Sequence, residues 1–154
     1  MYERENIFVN AYIIGSMTRR PKPFDLVRLF AALADPTRLR LLNLMAGREV
    51  CVCYFVEILT QGQPKISRHL AYLRNAGIVS ARREGKWMHY RIQRPGDTAA
   101  SSILDSVLSA LAENKEMQAD LTRLNRACCE PQMLVALEGA PLPVSLSDGQ
   151  RRVV

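Results

Sequence analysis

Residues 63–79 read QPKISRHLAYLRNAGIV, a pattern typical of an amphipathic helix that ends at a glycine and leads into a strand. Pro64 suits the first turn of a helix, and Gly77 suits its end. Three apolar residues recur at positions i, i+4 and i+7 and define the buried side: Ile66, Leu70 and Leu73. Polar residues occupy the opposite side and its flanks: Lys65, Ser67, Arg68, His69 and Tyr72. We therefore expect this helix to pack one face and to present a basic one.

A shorter helix is predicted just upstream, across a turn at Thr60-Gln61-Gly62-Gln63. Glu49-Val50-Cys51 is expected to open it, and its apolar residues are Val52, Phe55, Val56 and Leu59. Two short helices joined by a glycine-containing turn, the second of them basic, are typical of a helix-turn-helix. Two further helices are predicted before it, one over residues 24–34 and one from Asp35-Pro36 to Gly47.

Downstream, residues 78–83 and 87–92 are rich in β-forming residues and flank Glu84-Gly85, which predicts a β-hairpin. Trp87 and Tyr90 are expected to pack this hairpin. A single long helix is then predicted from Thr98 to about Cys128, with an apolar stripe that lacks obvious cover in its own chain. The predicted fold class is mainly α with a small β-hairpin, a winged helix-turn-helix with a long dimerisation helix.

The domain organisation follows from length and from the distribution of prolines. A chain of 154 residues is long enough for one core. We predict an N-terminal extension over 1–22, a DNA-binding and dimerisation domain over 23–128, and a poorly structured or loosely packed tail over 129–154. The apolar patch at 7–14 is too short and too polar for a membrane span or a signal peptide. A cytoplasmic protein without a membrane partner is expected.

Positive charge is concentrated in one segment. The formal net charge is +6, and between Pro64 and Arg94 the only acidic residue is Glu84. Such a segment suits the phosphates of double-stranded DNA, although an ordinary solvated helix is the alternative. The candidate DNA-binding residues are Gln63, Lys65, Ser67, Arg68, His69, Tyr72, Arg82, Arg83, Lys86 and Arg91. His69 could equally be a packed structural histidine.

The four cysteines form two tight pairs, Cys51 with Cys53 and Cys128 with Cys129, which is not the spacing of a disulfide framework. On a regular helix Cys51 and Cys53 would point about 200° apart. They converge on one ion only if Cys51 precedes the helix or if the first turn unwinds. Thiolates suit soft metal ions, and chelation there would distort the start of the helix that supports the basic helix. Alternatively, both cysteines are small buried hydrophobic residues.

Enzymatic activity is not expected. The chain has neither a phosphate-binding loop nor a nucleophile–base set, and no Cys-x-x-Cys in a βαβ setting supports a thiol oxidoreductase. No organic cofactor is implied. The only histidines are His69 and His89, so a zinc site of histidines and carboxylates on the long helix is not supported.

Four motifs in order carry a family resemblance: LADPTRLRLL at 33–42, VCVC at 50–53, QPKISRHL at 63–70 and GKWMHYR at 85–91. With these the chain resembles the ArsR/SmtB family of metal-sensing repressors, and most closely its arsenic-responsive members. The resemblance implies a homodimeric winged-helix repressor that binds a palindromic operator and is released by metal. It also implies that Cys51 and Cys53 bind trivalent arsenic or antimony as the inducer, with a third cysteine three residues on. That position is Val56 here.

The missing third ligand leaves several alternatives open. Cys128 or Cys129 could supply it, within a subunit or across the dimer. Cys128 could instead fill an apolar interface, or the pair could form a separate dithiol site. The predicted function is an arsenic-responsive repressor, and the alternative is a repressor that senses thiol oxidation, cadmium, lead or zinc. A thiol–disulfide exchange enzyme and a constitutive DNA-binding protein with structural cysteines are the more distant possibilities.

Overall fold

A computed structural model of the chain describes residues 24–129 and 139–146, without the side chain of Cys129. The predicted N-terminal extension, residues 1–22, and the larger part of the tail lie outside these residues. Helix α1 spans Leu26–Leu33 and helix α2 spans Pro36–Met45. Asp35 caps α2 by accepting a hydrogen bond from the backbone N–H of Arg38, as its sequence predicts.

The helix-turn-helix consists of α3, Val52–Leu59, and α4, Gln63–Asn75. Thr60 turns the chain between them in the left-handed conformation, with φ 51°. The predicted buried stripe of α4 is confirmed, because Ile66, Leu70 and Leu73 are fully buried. The apolar face of α4 therefore packs into the core, and its polar face is directed outward.

The sheet has four antiparallel strands in the order β2-β3-β1-β4. They are β1 at Arg48–Cys51, β2 at Val79–Glu84, β3 at Trp87–Ile92 and β4 at Val144–Ser145. The predicted hairpin is confirmed as β2 and β3, which turn at Gly85 with φ +57°. β4 was not predicted; it brings a piece of the C-terminal tail, residues 139–146, to the free edge of β1.

The prediction that Glu49-Val50-Cys51 opens the third helix is wrong. These residues belong to β1, where Val50 pairs with Tyr90 and Cys51 pairs with His89 of β3. A short apolar run is compatible with a strand or a helix, and here pairing with a distant strand decides. Helix α3 consequently begins one residue after Cys51.

The single long helix predicted from Thr98 to Cys128 is also wrong. Two helices are present, α5 at Thr98–Ala112 and α6 at Lys115–Cys129. Asn114 separates them, because its side-chain oxygen accepts hydrogen bonds from the backbone N–H groups of Glu116 and Met117. Their apolar stripe has cover within the chain, since its residues include the buried Leu104, Leu111, Met117 and Leu124.

Helix α6 lies against α2 and α3 and is anchored by polar contacts. Asp120, which is fully buried, accepts two hydrogen bonds from the Arg40 guanidinium at 2.6 and 2.8 Å. Asn43 donates to the backbone oxygen of Met117 at 2.9 Å. Among the described residues no helix is both long and apolar enough to cross a membrane.

Candidate metal centre and nucleic-acid interface

Cys51 and Cys53 meet at the junction of β1 and α3. Cys51 is the last residue of the strand and the N-cap of the helix, with extended backbone angles φ −69° and ψ 145°. Cys53 lies in the first helical turn, and its thiol donates a hydrogen bond to the Cys51 sulfur with an Sγ–Sγ distance of 3.0 Å. The side chains converge because Cys51 precedes the helix, which is the first of the two arrangements that the sequence allowed.

The contact divides the two thiols into an acidic and a weakly acidic one. The hydrogen bond from Cys53, helped by backbone N–H groups of Cys53, Val52 and Met88, lowers the pKa of Cys51 to about 7. The same hydrogen bond raises the pKa of Cys53, and burial adds to the effect. The pair therefore holds one thiolate near neutral pH, which is the form that binds soft metals.

A buried tyrosine hydroxyl lies near these thiols. Tyr54 is fully buried, and its Oη has no hydrogen-bond partner among the described residues. Burial is the main cause that raises the pKa of Tyr54 to about 12, followed by the charges of Cys128, Cys53 and Cys51 in that order. The pKa of the Tyr54 hydroxyl is thus influenced by thiols of β1, α3 and α6.

The described residues contain no ready-made cluster of three or more His, Cys, Asp or Glu side chains that could hold a metal ion. Cys51 and Cys53 are together, and Cys128 is half-buried on α6. Val56, which occupies the position expected for a third cysteine, is apolar and partly buried. The side chain of Cys129, also predicted as a ligand, lies outside the described part of the chain.

An ionic network connects the strand that carries Cys51 to the wing. Arg82 of β2 donates to Glu49 Oε1 at 2.7 and 3.2 Å and to Glu84 at 2.7 Å. His89, the strand partner of Cys51, is buried beside them, with Nδ1 3.9 Å from Glu49 and Nε2 3.5 Å from Glu84. The charge of Arg82, a predicted phosphate contact whose side chain is 51% exposed, is therefore compensated by two carboxylates of the same chain.

The predicted DNA-binding residues of α4 differ in their surroundings. Gln63, Lys65 and Arg68 are exposed, and Ser67 is half-buried. Tyr72 is exposed and lies under the Arg38 guanidinium, 4.3 Å from its ring centre. The Nδ1 atom of His69 lies 3.5 Å from the Asp35 carboxylate that caps α2, which favours the structural interpretation of this histidine.

The wing offers two of its predicted cations at the tip. Arg83 and Lys86 are exposed beside the Gly85 turn; Arg83 donates to the Gly85 oxygen and Lys86 lies over the Trp87 ring. Arg91 is half-buried and donates to the Ser80 hydroxyl at 3.3 Å. Arg82 is exposed as well but contacts two carboxylates, whereas Arg83 and Lys86 make no ion pair within the described residues.

Sequence reasoning missed two parts of the site. Tyr54 carried a weak signal, since a tyrosine inside a buried helix must find a partner for its hydroxyl. Glu49 carried a clearer one: it is an acid two residues before Cys51, so on a strand the two side chains share a face. The prediction of a helix for this segment places the two side chains on different faces and so hides the relation between Glu49 and Cys51.

The sequence and the structure were compared with those of known proteins. The family model described as "Bacterial regulatory protein, arsR family" matches residues 35–81. The arsenical resistance operon repressor of Escherichia coli is 41% identical over 104 residues, which is 67% of this chain and 87% of that protein. The arsenic resistance transcriptional regulator ArsR1 of Pseudomonas putida is 42% identical over 110 residues, 70% of this chain and 84% of its own. Among solved structures, HlyU from Vibrio cholerae has a TM-score of 0.49 and 26% identity, covering 57% of this chain and 92% of that one.

Proposed function

Because the chain belongs to the ArsR family of winged-helix transcriptional repressors, we propose that it releases its operator when trivalent arsenic binds Cys51 and Cys53. Members of this family regulate transcription and are not enzymes, and the protein is a metal- or metalloid-responsive repressor. The observation that carries the proposal is the 3.0 Å contact between the two sulfurs at the start of α3. Antimony, which has the same oxidation state and thiol preference, is the expected substitute.

The chemistry of the donors fits arsenic. Both are thiols, one of them ionises near neutral pH, and the described residues add no cluster of oxygen or nitrogen ligands around them. Thiolates favour soft ions over magnesium, calcium or manganese. The donor set therefore supports a trivalent metalloid as the inducer.

The position of the thiols supplies a route to the DNA-binding elements. Cys51 ends β1, which pairs with β3 of the wing, and Cys53 opens α3, which packs on α4. A bond from each sulfur to one atom constrains the angle between β1 and α3. Such a change acts on the wing and on α4 at once, and a coupling of about 1–3 kcal/mol is typical for such sites.

The operator-binding surface that we propose consists of the outward residues of α4 and of the wing tip. The exposed Gln63, Lys65 and Arg68 and the half-buried Ser67 would contact base edges or backbone, and the exposed Arg83 and Lys86 would contact phosphates. Tyr72 joins them through its exposed edge. His69, Arg82 and Arg91 support this surface through their contacts with Asp35, Glu49 and Ser80.

The surface of α1 supports a homodimer. Leu26, Val27 and Phe30 are 41%, 80% and 54% exposed, and they share one side of that helix. Three adjacent exposed apolar side chains mark an association surface in a soluble domain. We propose that two copies pair through α1, which would place two copies of α4 on the half-sites of a palindrome.

Operator binding under anaerobic, reducing conditions tests the proposal. Fluorescence anisotropy of a labelled operator is measured while arsenite is added to the parent, Cys51→Ser and Cys53→Ser. We expect arsenite to release the parent and neither variant, while all three bind DNA equally without arsenite. If the parent stays bound at saturating arsenite, arsenic is not the inducer.

The 3.0 Å sulfur contact and the acidic Cys51 also support a second candidate, a repressor that senses oxidants. Here the two thiols would lose two protons and two electrons to the oxidant and form a disulfide. Diamide added without arsenite would then release the operator, and a reductant would restore binding. Release by arsenite alone in the presence of reductant distinguishes the two functions.

A further inference from the structure

Building on the proposed function, we propose that Cys128 of α6 supplies the third sulfur ligand of arsenic within the same chain, and that the Tyr54 hydroxyl donates a hydrogen bond to the bound sulfurs. The sequence places Val56 where a third cysteine is expected, so a different element must provide the ligand. A helix packed on α3 is the element best placed to do so.

The contact between α6 and α3 supports a position of Cys128 near the level of Cys53. Arg123 of α6 donates to the Ile58 backbone oxygen of α3 at 3.2 Å. From that contact, Cys53 lies five residues back along α3 and Cys128 five residues forward along α6. At about 1.5 Å per residue both are about 7.5 Å away along their helices, so an antiparallel packing of α6 on α3 would set the two cysteines level.

The electrostatics of Tyr54 agree with this register. Tyr54 follows Cys53 near the start of α3, and of the three cysteines Cys128 has the largest influence on its hydroxyl. A parallel arrangement would instead put Cys128 beyond the opposite end of α3. Cys128 is half-buried and packs against the core, next to the buried Ala127.

The anchoring of α6 supports a site within one chain. Arg40 and Asn43 of α2 hold Asp120 and the Met117 carbonyl, so α6 is fixed to the domain that carries Cys51 and Cys53. The three thiols are not yet a cluster in the described residues. Binding therefore requires the first turn of α3 to move toward α6, which is the movement that would displace α4.

The hydroxyl of Tyr54 is an independent pointer to a ligand. It is fully buried and has no partner among the described residues, and an unpaired buried hydroxyl is unfavourable. A tyrosine hydroxyl is a donor, and thiolates are acceptors. A loaded three-thiol site would give this hydroxyl the partner it lacks.

The binding step balances without an oxidant. Each thiol that binds arsenic loses its proton. That proton combines with one hydroxyl group of arsenous acid and leaves as water. Three sulfur–arsenic bonds thus replace three oxygen–arsenic bonds and release three waters, and arsenic stays trivalent. In phenylarsine oxide the arsenic has only two exchangeable positions, so it binds two thiols. It therefore distinguishes a pair of essential ligands from a third ligand that only arsenite uses.

The test measures binding of both arsenicals to parent, Cys128→Ser and, as matched control, Cys129→Ser, by near-ultraviolet sulfur–arsenic absorption and competition titration. Loss of an outer-shell partner typically weakens metal binding by about 10- to 100-fold. Because Cys128 is proposed as a direct ligand, we expect Cys128→Ser to weaken arsenite binding by more than that. Phenylarsine oxide should bind Cys128→Ser within about twofold of the parent, and Cys129→Ser should match the parent for both probes. Tyr54→Phe should weaken arsenite binding by about tenfold or more and leave operator affinity unchanged.

Each contrary result has a distinct meaning. Parent-like arsenite binding by Cys128→Ser, or weakening in Cys129→Ser alone, overturns this inference and leaves the proposed function standing. Failure of Cys51→Ser and Cys53→Ser to weaken either probe overturns the proposed function itself. In mixed dimers of Cys51→Ser with Cys128→Ser chains, no complete site should form; recovery of parent-like arsenite affinity in half the sites would mean that Cys128 acts across the dimer.

Discussion

The buried pair of Arg40 and Asp120 should account for a large part of the stability of the domain. Asp120 is fully buried, and the Arg40 side chain is only 18% exposed. Two short hydrogen bonds join them, and Arg123 adds a third contact to the carboxylate at 3.1 Å. The first of the causes that raise the pKa of Arg40 is its hydrogen bond to Asp120.

The perturbation is Asp120→Asn, which keeps the size of the side chain and removes its charge. The Arg40 guanidinium then remains buried without its counter-ion, a change that costs about 3–5 kcal/mol in comparable pairs. Domains of this kind have a total stability of about 5–15 kcal/mol, so the loss is large. Urea unfolding followed by circular dichroism measures it, with the midpoint falling and the slope unchanged.

A matched control lies on the same guanidinium. Glu116 is 3.7 Å from Arg40, but its side chain is 62% exposed, so Glu116→Gln should cost less than about 1 kcal/mol. The pair replaced as a whole, Arg40→Met with Asp120→Leu, should recover most of the lost stability because no buried charge is left. A cost below about 1 kcal/mol for Asp120→Asn, or equal costs for Asp120→Asn and Glu116→Gln, would refute the reasoning.

Three further predictions concern the thiols, the dimer and the operator. Ultraviolet thiolate absorption should show one ionisation with a midpoint near pH 7 that Cys51→Ser removes, and Cys53→Ala, which removes the donor, should shift that midpoint upward; an unchanged midpoint contradicts the hydrogen-bonded pair. Val27→Asp puts a charge on the exposed side of α1 and should yield monomers in analytical ultracentrifugation, whereas a dimer that persists would move the interface elsewhere. Lys86→Ala should reduce the slope of log affinity against log salt by about 0.9, while Arg82→Gln should leave it unchanged, and equal slopes for both variants would contradict the compensation of Arg82.

The parts of the fold that local pattern decides were predictable. The i, i+4, i+7 stripe of α4, the Asp35 cap and the Gly85 hairpin all appear as the sequence indicates. β1 was not predictable, because Val50-Cys51 is too short to show a period and its strand state depends on β3. The break between α5 and α6 rests on one capping side chain, Asn114, within a stripe that stays apolar on both sides.

For the candidate site the sequence identified the ligand types but not their arrangement. The convergence of Cys51 and Cys53 depends on the end of β1, which only the tertiary structure defines. The relation between Tyr54 and Cys128 depends on how α6 packs against α3, and no local pattern records a contact between elements so far apart in sequence. Compensation of Arg82 by Glu49 likewise appears only once two strands are paired.

The strand pairing of β1 has a consequence for the order in which the protein is made. Val50 and Cys51 acquire their extended conformation from Tyr90 and His89, and Glu49 pairs with Val144 of β4. All of these partners leave the ribosome after the thiols themselves. A nascent chain that ends before β3 has no strand to hold Cys51 ahead of the helix, so the paired thiols arise only after the wing has been synthesised and has docked. Competence to bind the inducer is thus acquired late, together with the wing and not before it.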